Sequence, residues 1–307
     1  MPRGLQALKA LAVDPDRELE RHPIEHTRLV TPEGVRIAEH RLEPGTLALD
    51  RSLLLKALRS RLDGSRILFG RSFAGLRCAA GGRVEAVAFR GGEEIATALV
   101  FGADGAVSRC RRALLERPDE PWMPGRVARV QEIVALVSDP VLAARLGTGM
   151  LKIVAPGTGV AVGLLPLARG RLVWFVQFDT VRHGRPAAAG PLPFLENLLR
   201  GFPPWLREVI AGTESGLPHH WRPLDLDPPT RLVGANFALL GDAAHPLLPF
   251  TSQGVNLALE DAWLLRDLLR DAGDASAIED ALRSYERQRL PLVRHYVAVG
   301  QIGRAHV

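Results

Sequence analysis

A chain of 307 residues, 47% hydrophobic and 24% charged, is long enough for one large or two ordinary domains with real cores, which excludes a disordered or fibrous protein. Its net charge of +5 comes mostly from Arg scattered among acids, with no run of like charge to make a nucleic-acid arm. No apolar stretch reaches the roughly 18 residues of a membrane span and the N-terminus lacks a signal-peptide core, while Cys78 and Cys110 lack metal-ligand spacing, so a reduced, cytoplasmic chain without a bound metal is expected.

In chain order, "PRGLQALKALAV" predicts a helix, with Leu5, Leu8 and Leu11 at helical spacing. "DRSLLLKALRSRL" (50–62) predicts another, with Asp50 as N-cap and Leu53, Leu54, Ala57 and Leu58 on one face. From 66 to 101, short apolar runs parted by Gly-Gly turns predict a strand meander ending on "TALVFGADG". Residues 126–180 remain strand-like and predict a second, mainly antiparallel sheet, in which Trp174, Phe175 and Phe178 belong either to the core or to a pocket wall. Between 191 and 211 short helices break at Pro203-Pro204. "NFALLGDAA" then reads as a buried strand and "GVNLALEDAWLLRDLLRDAG" as a long helix ended by Gly273. A last helix covers about 276–299, bent or restarted at Pro291.

"GTGVAVG" (157–163) imitates a dinucleotide glycine fingerprint, with Asp179 about where a ribose-binding acid belongs. A true fingerprint must open a helix. Here Pro166 and the turn Ala168–Arg171 point to a hairpin, so the motif is set aside.

The informative pair is two apolar strands that each end in small residues and an Asp before a segment able to start a helix: "ALVFGADGAVSRCRR" (98–112) and "LLGDAAHPLLPFTSQGVNLALEDA" (239–262). In open α/β sheets, ligands lie beyond the carboxyl ends of strands, where a helix N-terminus offers N–H groups and a positive dipole to phosphate. Asp242, acceptor-only when ionised, suits polyol hydroxyls, and Gly254, Val255 and Asn256 would turn backbone amides toward a flat ring. Taken singly, Asp104 and Asp242 also read as N-caps. Arg109, Arg111 and Arg112 face either phosphates or solvent. His245 reads as structural, because no partner acid is evident in the sequence.

"GADGAVSRCRR" resembles the second dinucleotide-site motif, and "ALLGDAAHPLLPFTSQGVNLALEDA" the ribityl-binding motif, of the flavin-dependent aromatic hydroxylases typified by para-hydroxybenzoate hydroxylase. "LDRSLLLKAL" is similar to that family's Arg-bearing helix and "YERQRLPLVRHY" to the segment after its flavin site, so the resemblance runs in order over nearly all of 1–300. It implies an α/β fold: an FAD/NAD(P)-binding, glutathione-reductase-like domain with an inserted mixed β-sheet substrate domain. The expected division is 1–112 and 231–301 for the FAD-binding domain, and 113–230 for the substrate-binding sheet. It also implies FAD as cofactor, NAD(P)H as reductant, dioxygen as oxidant and a small aromatic or related apolar ring as substrate, with no nucleic-acid partner.

Residue by residue, the resemblance places Arg51 at the flavin or its phosphates. Asp104, Gly105 and Arg109 shape the groove shared by the FAD pyrophosphate and the nicotinamide. Gly241 and Asp242 hold the ribityl chain, Gly254, Val255, Asn256 and Leu257 line the isoalloxazine, and Pro249 approaches the ring from the substrate side; no nucleophile is required. Same-fold alternatives are a reductase or a halogenase, the latter disfavoured because Lys9, Lys56 and Lys152 all lie outside the flavin motifs. A non-catalytic fragment is the third.

The family begins with a strand, a Gly-x-Gly-x-x-Gly turn, a helix and a second strand that are missing here. The chain is therefore expected to lack roughly 40 residues of its cofactor site and to bind FAD weakly or not at all. The last six residues, Ile302 to Val307, match one reading frame of a common sequencing adapter and are expected to be a non-native tail.

Overall fold

The computed structural model describes residues 2–62, 67–115, 125–187, 190–213 and 218–303. Helix α1 (Pro2–Ala10) buries Ala7 and Leu8 against Leu54, Ala57 and Leu259. Then come α2 (Pro15–Glu18), the strands β1 (Arg21–Pro23), β2 (His26–Val30), β3 (Arg36–Arg41) and β4 (Leu47–Leu49), and helix α3 (Arg51–Arg59). Asp50 caps α3 as expected, accepting the Ser52 N–H at 2.8 Å.

The predicted meander forms from β5 (Phe73–Cys78), β6 (Val84–Phe89) and β7 (Glu94–Ala96), all antiparallel. The next strand, β8 (Val100–Gly102), leaves it and pairs in parallel with β16 (Phe237–Leu239), far downstream. That departure is enforced by packing: a Cβ on Gly102 would come 2.6 Å from Cys110 Cβ and 2.8 Å from Leu239 Cδ2, so only glycine lets the two strands and the following helix close up.

After α4 (Arg109–Leu115) come β9 (Arg126–Val127), β10 (Val130–Ser138), α5 (Pro140–Leu146), β11 (Gly149–Ala155), β12 (Val160–Pro166) and β13 (Arg171–Asp179). Then follow α6 (Thr180–His183), α7 (Leu192–Leu198), α8 (Trp205–Ala211), β14 (His219–Trp221) and β15 (Leu224–Asp225). Strands β10 to β14 build a seven-stranded sheet in the order β14-β10-β13-β12-β11-β2-β3, mixed because β11 runs parallel to β2 while every other pair is antiparallel. Two of its strands, β2 and β3, come from within residues 26–41, so this sheet is not confined to 113–230. The imitation fingerprint is the β11–β12 hairpin, with Gly157 and Gly159 both at φ +75° in its turn.

One face of the large sheet carries Ile133, Val162, Leu164, Leu172, Trp174, Val176 and Phe178, packed on Leu195, Leu199 and Leu206 of the α7–α8 region. Trp174 and Phe178 are therefore core, whereas Phe175 points to the opposite face. Helix α9 (Gly254–Leu269) and helix α10 (Ala275–Gly303) close the chain. Of the two alternatives at Pro291, a bend or a restart, the restart does not occur: α10 is one helix through it, held by buried Val293 and Val297 against Leu247 and Leu257. Residues 304–307 of the suspected tail lie outside the described residues. Among the described residues no helix is long and apolar enough to cross a membrane.

Candidate functional site

The two Asp-bearing strand ends lie side by side, because β8 and β16 pair in register from Val100↔Phe237 to Gly102↔Leu239. Beyond β16 the chain turns through a 3-10 turn (Gly241–Ala243) and a second one (Pro249–Thr251) before α9 begins. Gly241 sits at φ +57°, and a Cβ there would meet Ala258 Cβ at 3.2 Å, so the turn lies directly on the first turns of α9.

Asp242 is exposed, and among the described residues its carboxylate has no hydrogen-bond partner. A Cβ built on Gly254 would find only Asp242 Oδ1, 3.9 Å away. Among the described residues no side chain caps α9, which leaves the N–H groups of its first turn without a capping acceptor beside that carboxylate. Val255 is 56% exposed. The arrangement pairs a lone acceptor with uncapped donors and an apolar surface. It fits a ligand that combines hydroxyls, negative charge and a flat ring, as FAD does.

The other expected contacts divide. Arg51 is exposed at the first position of α3, with no ion pair among the described residues. Gly105 takes φ +80° in the turn after β8. Asp104 does not reach outward: its carboxylate accepts the Ser108 hydroxyl and the N–H groups of Arg109 (2.8 Å) and Cys110 (3.1 Å), so it shapes the groove by fixing the start of α4. Burial would raise its carboxyl, but those donors hold it below the ordinary range. The same burial, with Asp104 beside it, pushes the Cys110 thiol up to about 12. Arg109 donates to the Phe73 carbonyl and otherwise faces solvent. Pro249 opens the second 3-10 turn and is half-buried. Leu257 is a correction: its side chain is 2% exposed among Leu247, Val293 and Val297, and its N–H donates to the Gln253 carbonyl, so neither is available to a ring.

Two supports were missed or left open by the sequence. Arg111 is buried and donates to the carbonyls of Ala243 (2.9 Å), Asp242 (3.2 Å) and Ala106 (2.6 Å), tying the two strand-end turns together. His245 does have a partner acid, correcting the expectation: its Nε2 lies 2.6 Å from Asp261 Oδ2, and both groups are fully buried. Asp261 also accepts the Gly241 N–H (2.9 Å) and Arg289 Nε (2.6 Å), and Arg289 reaches Glu260 and the Leu257 carbonyl. The network therefore braces the turn that carries Asp242 and leaves His245 no access to a ligand. Its signal was present in the sequence only as an Asp 16 residues after the His and an Arg 28 further on, a spacing without meaning until α9 and α10 pack together.

Residues 47–299 match the family described as the FAD binding domain. The 3-amino-4-hydroxybenzoate 2-monooxygenase of Streptomyces cremeus is 34% identical over 269 residues, covering 85% of this chain and 62% of that protein. The FAD-dependent urate hydroxylase of Klebsiella oxytoca is 35% identical over 141 residues, 46% of this chain and 36% of that one. Among solved structures, Klebsiella pneumoniae HpxO complexed with FAD and uric acid superposes with a TM-score of 0.83 at 25% identity, covering 99% of this chain and 77% of that chain. The chain spans 50% and 62% of the length of the 3-amino-4-hydroxybenzoate 2-monooxygenases of Streptomyces platensis (PtnB3) and Streptomyces cremeus.

Proposed function

The chain belongs to the FAD binding domain family, and from that premise we propose that it forms the ribityl-gripping and substrate-covering part of an FAD-dependent monooxygenase that uses NADH or NADPH and dioxygen to hydroxylate an aromatic ring. The observation that carries this reading is the carboxylate of Asp242, unpartnered among the described residues, beside the start of α9, which no described side chain caps. FAD, held here and reduced by a nicotinamide, would supply the electrons that activate dioxygen, which would provide the oxygen atom. The chain's own residues hold and orient. Asp242 would accept from ribityl hydroxyls, Arg51 would hold the phosphates, and the amides of Gly254, Val255 and Asn256 would meet the polar edge of the ring. The turn at Pro249 limits how closely a substrate approaches, and the seven-stranded sheet keeps water from the reacting centre.

The relatives act on an amino- and hydroxyl-bearing benzoate and on urate, and HpxO holds uric acid, all planar rings with polar substituents. A substrate of that size and character suits this chain.

Two measurements test the reading. FAD titration should show tighter binding to the chain than to Asp242→Ala, by at least about tenfold for the loss of charged acceptor contacts. With FAD supplied in large excess, nicotinamide oxidation should be coupled to oxygen uptake and to a product one oxygen heavier than the ring supplied. Equal FAD affinity of the two proteins would refute the site, and oxygen uptake without a hydroxylated product would refute the reaction.

A further inference from the structure

The face of the seven-stranded sheet turned away from α7 and α8 carries polar groups that neither the flavin site nor the core uses. The register sets Glu132 opposite Gln177 and Gln177 opposite Ala161, with Val134, Phe175, Gly163 and Lys152 in the next row. Residues directly opposite one another share a face. This face looks toward the flavin-binding half: Arg171, on the same side of β13, pairs at 2.9 Å with Asp50, the cap of the helix that begins with Arg51. Further along it, Leu136, Met150 and Val173 pack on Ile24 and Ala48.

Two groups on this face are unsatisfied among the described residues. Gln177 is 4% exposed and its Nε2 donates to Glu132 Oε2 at 3.0 Å, yet its Oε1 is buried without a donor among the described residues. Lys152 has neither an ion pair nor a hydrogen bond among the described residues. Burial pushes its ammonium below the ordinary lysine range, although the charge of Glu132 pulls it back, and burial pushes the Glu132 carboxyl up. Between these groups the Phe175 ring lies over Gly163, a position with no side chain, since a Cβ there would come 1.9 Å from the ring. A buried acceptor without a donor costs about 1–3 kcal/mol, and such groups persist where a ligand completes them.

We propose that Lys152, Gln177 and Glu132 are the substrate-reading groups of this chain, selecting a planar aromatic acid that also carries an amino or hydroxyl group. Lys152 takes the carboxylate, Phe175 supports the ring face, and Gln177 Oε1 and Glu132 accept from the ring-borne N–H or O–H. Lys152 and Gln177 lie two strands apart, about 10 Å at the usual strand spacing, a gap that one substituted ring and the lysine stem fill together. The inference deepens the monooxygenase reading and rests on it for the place of the ring, but it concerns binding and is tested without turnover.

The test is calorimetric titration of the chain, with FAD present, by 4-aminobenzoate, 4-aminobenzamide and benzoate. The chain should bind 4-aminobenzoate at least about tenfold more tightly than 4-aminobenzamide, the ratio expected of one charge-assisted hydrogen bond. Lys152→Met should bring that ratio close to one while leaving the affinity for the amide unchanged, and Lys152→Gln serves the same purpose if the Met variant folds poorly. Gln177→Leu should narrow the preference for 4-aminobenzoate over benzoate. A ratio near one in the unaltered chain, a ratio that survives Lys152→Met, or no binding of any of the three compounds would overturn the inference. Hydroxylation of uncharged rings with no preference for acids would leave the proposed function standing and defeat this assignment. Acid binding governed by Lys152 without hydroxylation would do the reverse.

Discussion

Asp261 accepts from three donors inside the protein and braces the turn that carries Asp242. Burial alone would raise its carboxyl, but the adjoining charges of His245 and Arg289 and the Gly241 N–H outweigh it and hold the group below its ordinary 3.8. A carboxyl depressed in the folded state stabilises the fold above its unfolded value, and the contribution disappears as pH falls through the folded value. Urea midpoints measured from about pH 7 to about pH 3 should therefore drop as pH passes below 3.8, and Asp261→Asn should flatten that drop. At neutral pH the same substitution leaves buried Arg289 under-paired and should cost about 3–5 kcal/mol. Arg111→Met removes the buried donors to Ala106, Asp242 and Ala243, and should lower stability by about 2–4 kcal/mol in the same assay. Both residues are ordinary letters in the sequence. Asp242 and Gly254 could be read there because strand end, acid and helix start follow one another along the chain, whereas Arg111 acts on carbonyls 131 and 132 positions away.

At the scale of elements, periodicity identified α1, α3, the two helices parted by Pro203-Pro204, and α9, because each buries a stripe whose spacing is set locally. It misjudged one element and left another open, and the fate of both lies elsewhere. The strand of Val100–Gly102 follows a meander in sequence but is captured by β16, and α10 continues as one helix past Pro291, its far half anchored by buried valines. The Gly-rich "GTGVAVG" was rightly read as a hairpin from its flanking turn, yet the use of Gly163 appears only in register, where it lies beneath Phe175. Gly163→Ala should consequently displace that ring and destabilise the sheet by about 1–3 kcal/mol, seen as a lower thermal midpoint. An unchanged midpoint would mean that Phe175 has free space to move.

Across the whole molecule, the large sheet joins strands from residues 26–41 to strands from 130–221. Strand β2 covers the open edge of β11 and β3 covers β2. A piece comprising only residues 125–227 should therefore expose an unpaired β11 edge and associate into soluble oligomers or aggregates, which size-exclusion chromatography would reveal. The same piece running as a folded monomer would show that the edge needs no cover.

By itself the sequence determined the α/β class, the order of most elements, the family, and the candidate cofactor-binding stretch between Asp242 and Asn256, since each depends on residues close together in the chain. Only the tertiary structure decided which strand closes which sheet, that Asp104 caps its own helix, that Leu257 belongs to the core, and that His245, Asp261 and Arg289 form one buried network. It alone brought Glu132, Lys152 and Gln177 onto one face. The physical reason is the same in every case: burial and hydrogen-bond satisfaction are properties of what surrounds a group, and for these groups the surroundings arrive from distant parts of the chain.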